Sequence, residues 1–369
     1  MARPRRVGAG SRADRGVSVR VRFAPSPTGS LHVGNALTAA ANRRFADEHG
    51  GVLVLRIDDT DPARTVPGGE AAIVDDLGWL GIAWDEGPVR QSERASVYSR
   101  AAERAEREGG ATRDADGSLR LDGVTLLRTD GSATYQLATV ADDLDLRITH
   151  VIRGFDHRPN EGPQRRIARA LGSELPAVIH HGLLLGEDGK KLSKRHGHAS
   201  VADFREDGVP AAALRAYLDE LGLPEHDVHL DRARIGRLAI EAIAAMSDED
   251  LAAAAGAPLE TARALRGART LVEAREIARQ IEAPDSVELP AEAVPTLERF
   301  AELRERGPER LDEAGAREIV RELKAVGGDL RLLRLALTGE SRGPELWTVL
   351  AVLPANEALK RVTRAEGRG

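Results

Sequence analysis

The chain has 369 residues, of which 41% are hydrophobic and 30% charged, and a formal net charge of −6. This length predicts two or three domains with an ample core. The negative charge argues against attraction of nucleic acid to the whole surface, but it does not exclude binding through local basic patches. The absence of cysteine excludes disulfides, thiol catalysis and thiolate zinc sites, so no zinc is expected. No apolar run approaches the roughly 20 residues that span a bilayer, and we expect a cytoplasmic protein without a membrane partner.

The first half of the chain has the pattern of an α/β fold. Residues 1–18 are rich in Arg and Gly, lack an apolar segment and are predicted to form a disordered basic tail, not a secretory signal. A strand is predicted over Val17–Ala24, a helix over Gly34–Glu48, and a buried strand over Val52–Ile57 that ends in the carboxylates Asp58–Asp61. This order, with ligand groups at the carboxyl ends of strands, is typical of a Rossmann-like, doubly wound parallel sheet.

Further elements are predicted up to the middle of the chain. The predicted helices are Val66–Leu80, Gln91–Arg107 and Gly162–Leu171, and the predicted strands are Val124–Arg128, Tyr135–Val140, Thr149–Arg153 and Ala177–Leu185. Between the second helix and the first of these strands, Glu108–Gly123 is an interruption in which Asp122-Gly123 predicts a hairpin turn.

After Ser200 the composition changes to Ala, Leu, Glu and Arg, which predicts an all-α region without clear strands. Ser247 followed by Asp250 predicts a capping box at a helix start. The helices predicted near the end of the chain are 295–306, 314–326, 330–338 and 344–353. We therefore predict an α/β domain over 19–200 followed by helical regions over 201–290 and 291–369.

Two short stretches carry the chemistry, Arg22–Asn35 (RFAPSPTGSLHVGN) and Gly186–Gly197 (GEDGKKLSKRHG). The first joins a proline-containing loop to a helix start, where unpaired backbone N–H groups are predicted to favour phosphate. The second contains Lys190, Lys191 and Lys194, three of only five lysines in the chain. Because these ammonium groups are compact and mobile, the cluster indicates a loop that follows a polyphosphate through a reaction.

These stretches resemble the two signature motifs of class I aminoacyl-tRNA synthetases, in the form HVGN from His32 and KLSKR from Lys191. The strings RFAPSPTGSLHVGNA, LRIDDTDPAR, QSER, THVIRGFDH and LGEDGKKLSKRHG resemble, in the same order, those of bacterial glutamyl-tRNA synthetases. The resemblance implies activation of L-glutamate by ATP with Mg²⁺, and transfer to the 3′ end of tRNA(Glu), with tRNA(Gln) left open. It also implies that 19–200 is the catalytic domain, 201–290 a stem-contact region and 291–369 an anticodon-binding-like domain, in a protein expected to be a monomer.

The resemblance also implies roles for individual residues. The catalytic residues are His32, Lys191 and Lys194. The ATP-binding residues are Thr28, His32, Gly34, Asn35, Asp156, Lys191, Ser193 and Lys194. The glutamate-binding residues are Arg22, Ala24, Ser26, Asp58, Tyr135 and Arg153. Arg22 and Arg153 are the candidate partners of the substrate side chain, since guanidinium binds carboxylate through two hydrogen bonds. No metal-ligating side chain is predicted.

The chain departs from the family pattern at several places. Asp58 and Phe155 both stand where the family has Glu. The acceptor-binding insertion, at about 99–125, is far shorter than in the family. Because Arg334–Trp347 still resembles the end of the family's C-terminal domain, we expect a chain that is shortened internally.

Two alternatives remain at this stage. One is an enzyme similar to the glutamyl-queuosine tRNA(Asp) synthetases, against which the long helical C-terminus and the complete KLSKR string argue. The other is a non-catalytic paralogue that binds tRNA or a protein partner. The retention of His32, Gly34, Lys191 and Lys194 argues against it, because binding alone does not need groups that act on ATP.

Overall fold

The computed structural model describes residues 18–61, 63–186, 189–190, 192 and 199–365. These residues divide into two compact units. The first unit contains the described residues up to Ala202 and the segment Leu218–Leu230, and the second contains Asp203–Tyr217 and the described residues from Asp231 onward. No helix within the described ranges is long and apolar enough to cross a membrane. The boundary near residue 290 and the basic tail stay predictions.

Strands and helices alternate through most of the first unit. Its strands are β1 (Arg20–Phe23), β2 (Val52–Ile57), β3 (Glu86–Arg90), β4 (Thr112–Arg113), β5 (Leu119–Leu121), β6 (Val124–Leu127), β7 (His150–Gly154), β8 (Ala177–His181), β9 (Leu184–Leu185) and β10 (Val228–His229). Its helices are α1 (Val33–Glu48), α2 (Gly69–Trp79), α3 (Ala95–Glu108), α4 (Tyr135–Asp145) and α5 (Arg158–Ala170). Short 3₁₀ turns precede α3 and α5.

A parallel sheet forms the centre of the first unit. Strands β1, β2 and β3 pair in that order, with Arg20 opposite Val52 and Phe23 opposite Leu55. Strands β7 and β8 pair in parallel, and β7 continues the layer beside β1, because the Thr149 N–H donates to the Arg20 carbonyl at 2.9 Å. Strand β2, which follows β1 in the chain, therefore lies on one side of β1, and β7 lies on the other side. Such a reversal of strand order opens a crevice at the carboxyl ends of the strands.

The predicted α/β fold is confirmed, although one predicted element is wrong and the strands β3, β4 and β5 were not predicted. The segment Tyr135–Val140, predicted as a strand, is the first half of helix α4. Its short apolar run does not distinguish a buried strand from a buried helix, and packing against α3 and α5 decides in favour of the helix. The predicted hairpin turn is confirmed, since Asp122 and Gly123 have φ angles of 46° and 79° between the antiparallel strands β5 and β6.

The second unit consists of helices around a core of Leu, Ile, Val and Ala with Phe300. Helices α6 (Val201–Glu206) and α7 (Ala211–Leu221) each have residues in both units. The remaining helices belong to the second unit and are α8 (Arg232–Ala245), α9 (Asp248–Ala255), α10 (Ala262–Leu265), α11 (Leu271–Glu282), α12 (Val294–Glu305), α13 (Glu313–Ala325), α14 (Leu330–Thr338), α15 (Leu346–Val352) and α16 (Ala355–Ala365). The four helices predicted near the end of the chain are α12 to α15, with bounds within two residues. The prediction missed the short strand β10, which pairs with β9.

The predicted cap at Ser247 is confirmed, since its hydroxyl accepts from the Asp250 N–H at 3.0 Å and donates to the Asp250 carboxylate at 2.8 Å. Replacing Ser247 with Ala is expected to lower the free energy of unfolding of the second unit by about 1 kcal/mol, because a helix-end N–H loses its acceptor. Urea unfolding followed by circular dichroism measures this change. Ser341, exposed in a loop, supplies the matched Ser→Ala control, and equal stability of the two variants would contradict the prediction.

Candidate active site

A cavity of about 510 Å³ opens in the first unit at the carboxyl ends of β1 and β7, beside the start of α1. The predicted site residues that the structure describes all line it: Arg22, Ala24, Ser26, Thr28, His32, Gly34, Asn35, Asp58, Tyr135, Arg153 and Asp156. The other three predicted residues, Lys191, Ser193 and Lys194, lie outside the described residues. The structure thus brings eleven predicted residues of distant sequence positions around one cavity, while their individual roles stay predictions.

The start of α1 differs from the prediction of unpaired N–H groups. His32 is the N-cap residue, and its Nδ1 accepts from the Gly34 N–H at 3.2 Å. The Val33 N–H donates to the Ala199 carbonyl at 2.9 Å, and the Asn35 N–H donates to the His32 carbonyl at 2.8 Å. That prediction is therefore wrong, because the helix start is capped by the protein itself. The cap also fixes the His32 tautomer: with Nδ1 as acceptor, the ring proton lies on Nε2.

The segment that follows the lysine cluster pairs with the first signature stretch. The Val201 N–H donates to the Leu31 carbonyl at 2.8 Å, and Ser200 forms an antiparallel bridge with His32. At the other end of the cluster, the Gly186 N–H donates to the Lys190 carbonyl at 2.8 Å. Residues 199–201, which follow the second stretch, therefore lie beside the first.

Two buried guanidinium groups, Arg22 and Arg153, make the cavity electropositive. Each is 5% exposed. The Arg153 Nη1 donates to the Gln164 side-chain oxygen at 2.8 Å, whereas its buried Nη2 has no acceptor among the described residues. Burial and the neighbouring Arg22 charge lower the pKa of Arg153. A buried cation with an unused donor is costly unless a ligand supplies an acceptor, so this part of the cavity fits an anionic group.

Arg22 is held by a buried ionic network that the sequence analysis missed. Asp143 Oδ1 accepts from Arg22 Nε at 3.2 Å and from Arg56 Nη1 at 2.8 Å. Arg56 also donates to both oxygens of Asp58, at 2.6 and 3.1 Å. Although burial opposes its charge, Asp58 and Asp143 hold the pKa of Arg56 well above its ordinary value. Asp58 therefore lines the cavity with its carboxylate already bonded to a cation.

A signal for this network was present in the sequence. Arg56 interrupts the apolar run of β2, and a buried charge requires partners. If the segment from Tyr135 onward is a helix, Asp142 and Asp143 follow Tyr135 by seven and eight residues. They then lie about two turns further along the same helix face as Tyr135. Asp142 extends the network to α3, since it accepts from Tyr98 Oη at 3.0 Å.

Other lining residues were also missed: Thr38, Arg56, Arg64, His157, Asn160 and His181. Thr38 Oγ1 lies 3.0 Å from His181 Nε2, and His181 Nδ1 lies 2.8 Å from the Gly182 carbonyl oxygen. Burial lowers the pKa of His181, which favours a neutral ring. Phe155 is not among the lining residues; the Arg158 guanidinium lies 4.0 Å above its ring.

The fold and the cavity belong to a known class of enzyme. The family model for the catalytic domain of class I tRNA synthetases (E and Q) matches residues 18–122 and 117–236. Glutamate–tRNA ligase 1 of Rubrobacter xylanophilus is 39% identical over 428 aligned residues, which cover 94% of this chain and 98% of that protein. Glutamate–tRNA ligase 1 of a Methylobacterium species is 33% identical, with coverage of 94% and 98%. The chain therefore belongs to the glutamate–tRNA ligase family of class I tRNA synthetases.

The solved structures support the same fold. A crystal structure of a glutamate tRNA ligase from Elizabethkingia meningosepticum, in complex with its amino acid, matches with a TM-score of 0.76 at 21% identity, covering 95% of this chain and 99% of that one. The alignment with the Rubrobacter protein is longer than the 369 residues of this chain. That relative therefore contains internal stretches that this chain lacks, as the predicted shortening requires.

Proposed function

We propose that the chain is a glutamate–tRNA ligase, which activates L-glutamate with ATP and transfers it to the 3′ end of tRNA. Membership of the family supports this function. The observation that carries it is the pair of buried arginines in the cavity, of which Arg153 has a donor without an acceptor in the described residues. Neither alternative reading is favoured, because the relatives reported above are named glutamate–tRNA ligases.

Glutamate recognition follows from the charges of the cavity. Arg153 and Arg22 bind the side-chain carboxylate, because two buried guanidinium groups select a carboxylate over a neutral amide. Tyr135 and the loop that carries Ala24 and Ser26 complete the pocket. Asp58 supplies the negative charge for the α-ammonium group; burial raises the pKa of its carboxyl group, and the charge and hydrogen bonds of Arg56 oppose that rise.

ATP binds toward the start of α1, with Thr28, Gly34, Asn35 and Asp156 around it. The glutamate α-carboxylate attacks the α-phosphorus in line, the bond to pyrophosphate breaks, and glutamyl-adenylate forms. His32 donates Nε2–H to a phosphate oxygen, while Lys191 and Lys194, with Ser193 beside them, balance the charge of the leaving pyrophosphate. Such a reaction depends on positioning and charge stabilisation more than on covalent chemistry by the protein.

Mg²⁺ accompanies ATP in this proposal. The ion usually takes most of its ligands from phosphates and water, so it does not need a protein cage. In the second step the terminal ribose hydroxyl of tRNA attacks the adenylate carbonyl, and AMP leaves. The tRNA substrate is tRNA(Glu), with tRNA(Gln) as the second species to test, and the protein acts as a monomer.

The deciding experiment is glutamate-dependent exchange of pyrophosphate into ATP, with and without tRNA(Glu). Exchange that needs tRNA supports a conventional ligase, and exchange without tRNA favours the queuosine-type enzyme. Lys194→Ala is the control and should abolish exchange. No exchange by the wild-type protein under either condition would refute the proposed activity. Aminoacylation of purified tRNA(Glu), tRNA(Gln) and tRNA(Asp) then identifies the acceptor.

Glutamate binding is expected to weaken on the acid side of neutrality, because His180 contacts Arg153. Arg153 Nε donates to His180 Nε2 at 3.4 Å, which accepts only when it is unprotonated. Burial and the Arg153 charge lower the pKa of His180 from 6.5; Arg158 and His181 lower it too, and Glu161 opposes them. The ring is therefore neutral above pH 6.5. The KM for glutamate should stay constant there and rise as the pH falls through the lowered pKa.

The control for this pH profile is His180→Gln. Its amide oxygen can accept from Arg153 but does not titrate, so the KM for glutamate should become independent of pH across the same range. A wild-type KM that does not rise at any acid pH at which the protein stays folded, or a Gln variant with the wild-type profile, would contradict the role of His180.

A further inference from the structure

Asp76 is a buried carboxylate in helix α2 that does not line the cavity. It is 3% exposed, whereas its neighbour Asp75 is exposed. We propose that Asp76 is a positioning residue for ATP activation, which holds the first signature stretch and the segment that pairs with it. The inference rests on the proposed function and adds a residue that acts on the reaction from outside the cavity.

The contacts of Asp76 lie immediately before the N-cap His32. Its Oδ2 accepts from the Leu31 N–H at 2.6 Å and from the Ser30 hydroxyl at 2.7 Å. Hydrogen bonds to an ionised acceptor are about twice as strong as those between neutral groups. The carboxylate therefore fixes the backbone just ahead of His32, and with it the point from which helix α1 starts.

The start of α2 and the residues just before it also contact the loop 25–31. The Val66 N–H donates to the Pro27 carbonyl at 3.0 Å. Gly69, the first residue of α2, packs so closely that an added Cβ would lie 2.3 Å from that carbonyl oxygen. Because backbone atoms meet there, only glycine fits without displacing the loop. The loop 25–31 thus rests on α2 at both of its ends.

Ser30 extends the effect of Asp76 to the second segment. A hydroxyl has one proton, and Ser30 donates it to Asp76, which leaves its oxygen lone pairs to accept. The Ala202 N–H donates to Ser30 Oγ at 3.2 Å. This bond continues the pairing of Leu31 with Val201. One carboxylate therefore orders both segments that meet beside His32.

The two arginines on the glutamate side of the cavity are held by side chains other than Asp76. Arg22 is held by Asp143, and Arg153 by Gln164. Loss of Asp76 should therefore slow activation without weakening glutamate binding. A displacement of about 1 Å at a reacting group can cost about 100-fold in rate, so the effect on kcat is measurable even though Asp76 touches no substrate.

The test compares Asp76→Ala with Asp76→Asn, with Asp75→Ala as the exposed control on the same helix. We expect Asp76→Ala to lower kcat of pyrophosphate exchange about 10- to 100-fold, with a KM for glutamate within about twofold of wild type. Asp76→Asn keeps an acceptor oxygen and should recover most of the activity. The amount of adenylate formed per protein molecule measures the fraction of active sites. It therefore distinguishes a slower reaction at each site from a smaller fraction of folded protein.

Ser30→Ala is the second variant, in case Asp76→Ala does not fold. It removes only the hydroxyl link and should lower kcat with unchanged KM for glutamate. Wild-type kcat in both Asp76→Ala and Ser30→Ala, or a loss explained wholly by a smaller active fraction, would overturn the inference. A wild-type protein that shows no exchange would refute the proposed function instead.

Discussion

Arg153→Gln is expected to raise the KM for glutamate about 10- to 100-fold while leaving the protein folded. The lost interaction is a charge-assisted hydrogen bond to the substrate carboxylate, worth about 1.5–3 kcal/mol, and each 1.4 kcal/mol changes affinity about tenfold. Aminoacylation kinetics at varied glutamate concentration measure the effect. Arg169, exposed on the same helix as Gln164, provides the matched Arg→Gln control, which should keep the wild-type KM.

The same substitution should not reduce stability in the absence of substrate. Arg153 is buried, its pKa is lowered, and its Nη2 has no acceptor among the described residues. Removing this charge also removes its repulsion with Arg22. The free energy of unfolding of Arg153→Gln should therefore equal or exceed that of the wild type. A glutamate KM within a few-fold of wild type, or a large loss of stability, would show that Arg153 has a structural role instead.

Local patterns in the sequence correctly predicted those elements for which tertiary packing favours the same secondary structure as the residues' own propensity. The bounds of β2 and α14 are Val52–Ile57 and Leu330–Thr338, as predicted. The segment Tyr135–Val140 failed because Tyr, Thr and Val favour strands, while helix α4 is stabilised by partners far away in sequence. Asp142 and Asp143 near its end bind Arg94 and Arg56, and a single sequence does not show that these groups meet.

The same distinction between local patterns and long-range contacts applies to the residues of the candidate site. Arg22, His32 and Arg153 were found because each belongs to a contiguous string with a recognisable pattern. Asp143 and Asp76 were missed because their importance lies in contacts over long sequence separations, to Arg22 and to Ser30. The order of residues therefore indicated which groups face the substrates, whereas the groups that hold them in place required the fold.

Arg56→Leu is expected to give the largest loss of stability among these changes. Arg56 is fully buried and is the direct partner of both Asp58 and Asp143. Removing it leaves two buried carboxylates without that cation, and breaking a buried ion pair in this way costs about 3–5 kcal/mol. Chemical unfolding of the two proteins at neutral pH measures the difference. Arg90→Leu, which breaks a partly exposed ion pair between strand β3 and Glu70 of helix α2, is the control and should lose much less.

The pH dependence of Arg56→Leu distinguishes lost charge pairing from lost packing. In the variant, the pKa of Asp58, which burial already raises, rises further because Arg56 no longer opposes that effect. Protonation of Asp58 in the folded state then removes its buried charge, so the stability missing at neutral pH should return in part as the pH falls, and disappear again as the pH rises through the raised pKa. Adding Asp58→Asn and Asp143→Asn should recover stability at neutral pH for the same reason. A loss that is equal at acid and neutral pH, and that the added substitutions do not repair, would mean that Arg56 stabilises the sheet through its packing and not through its charge.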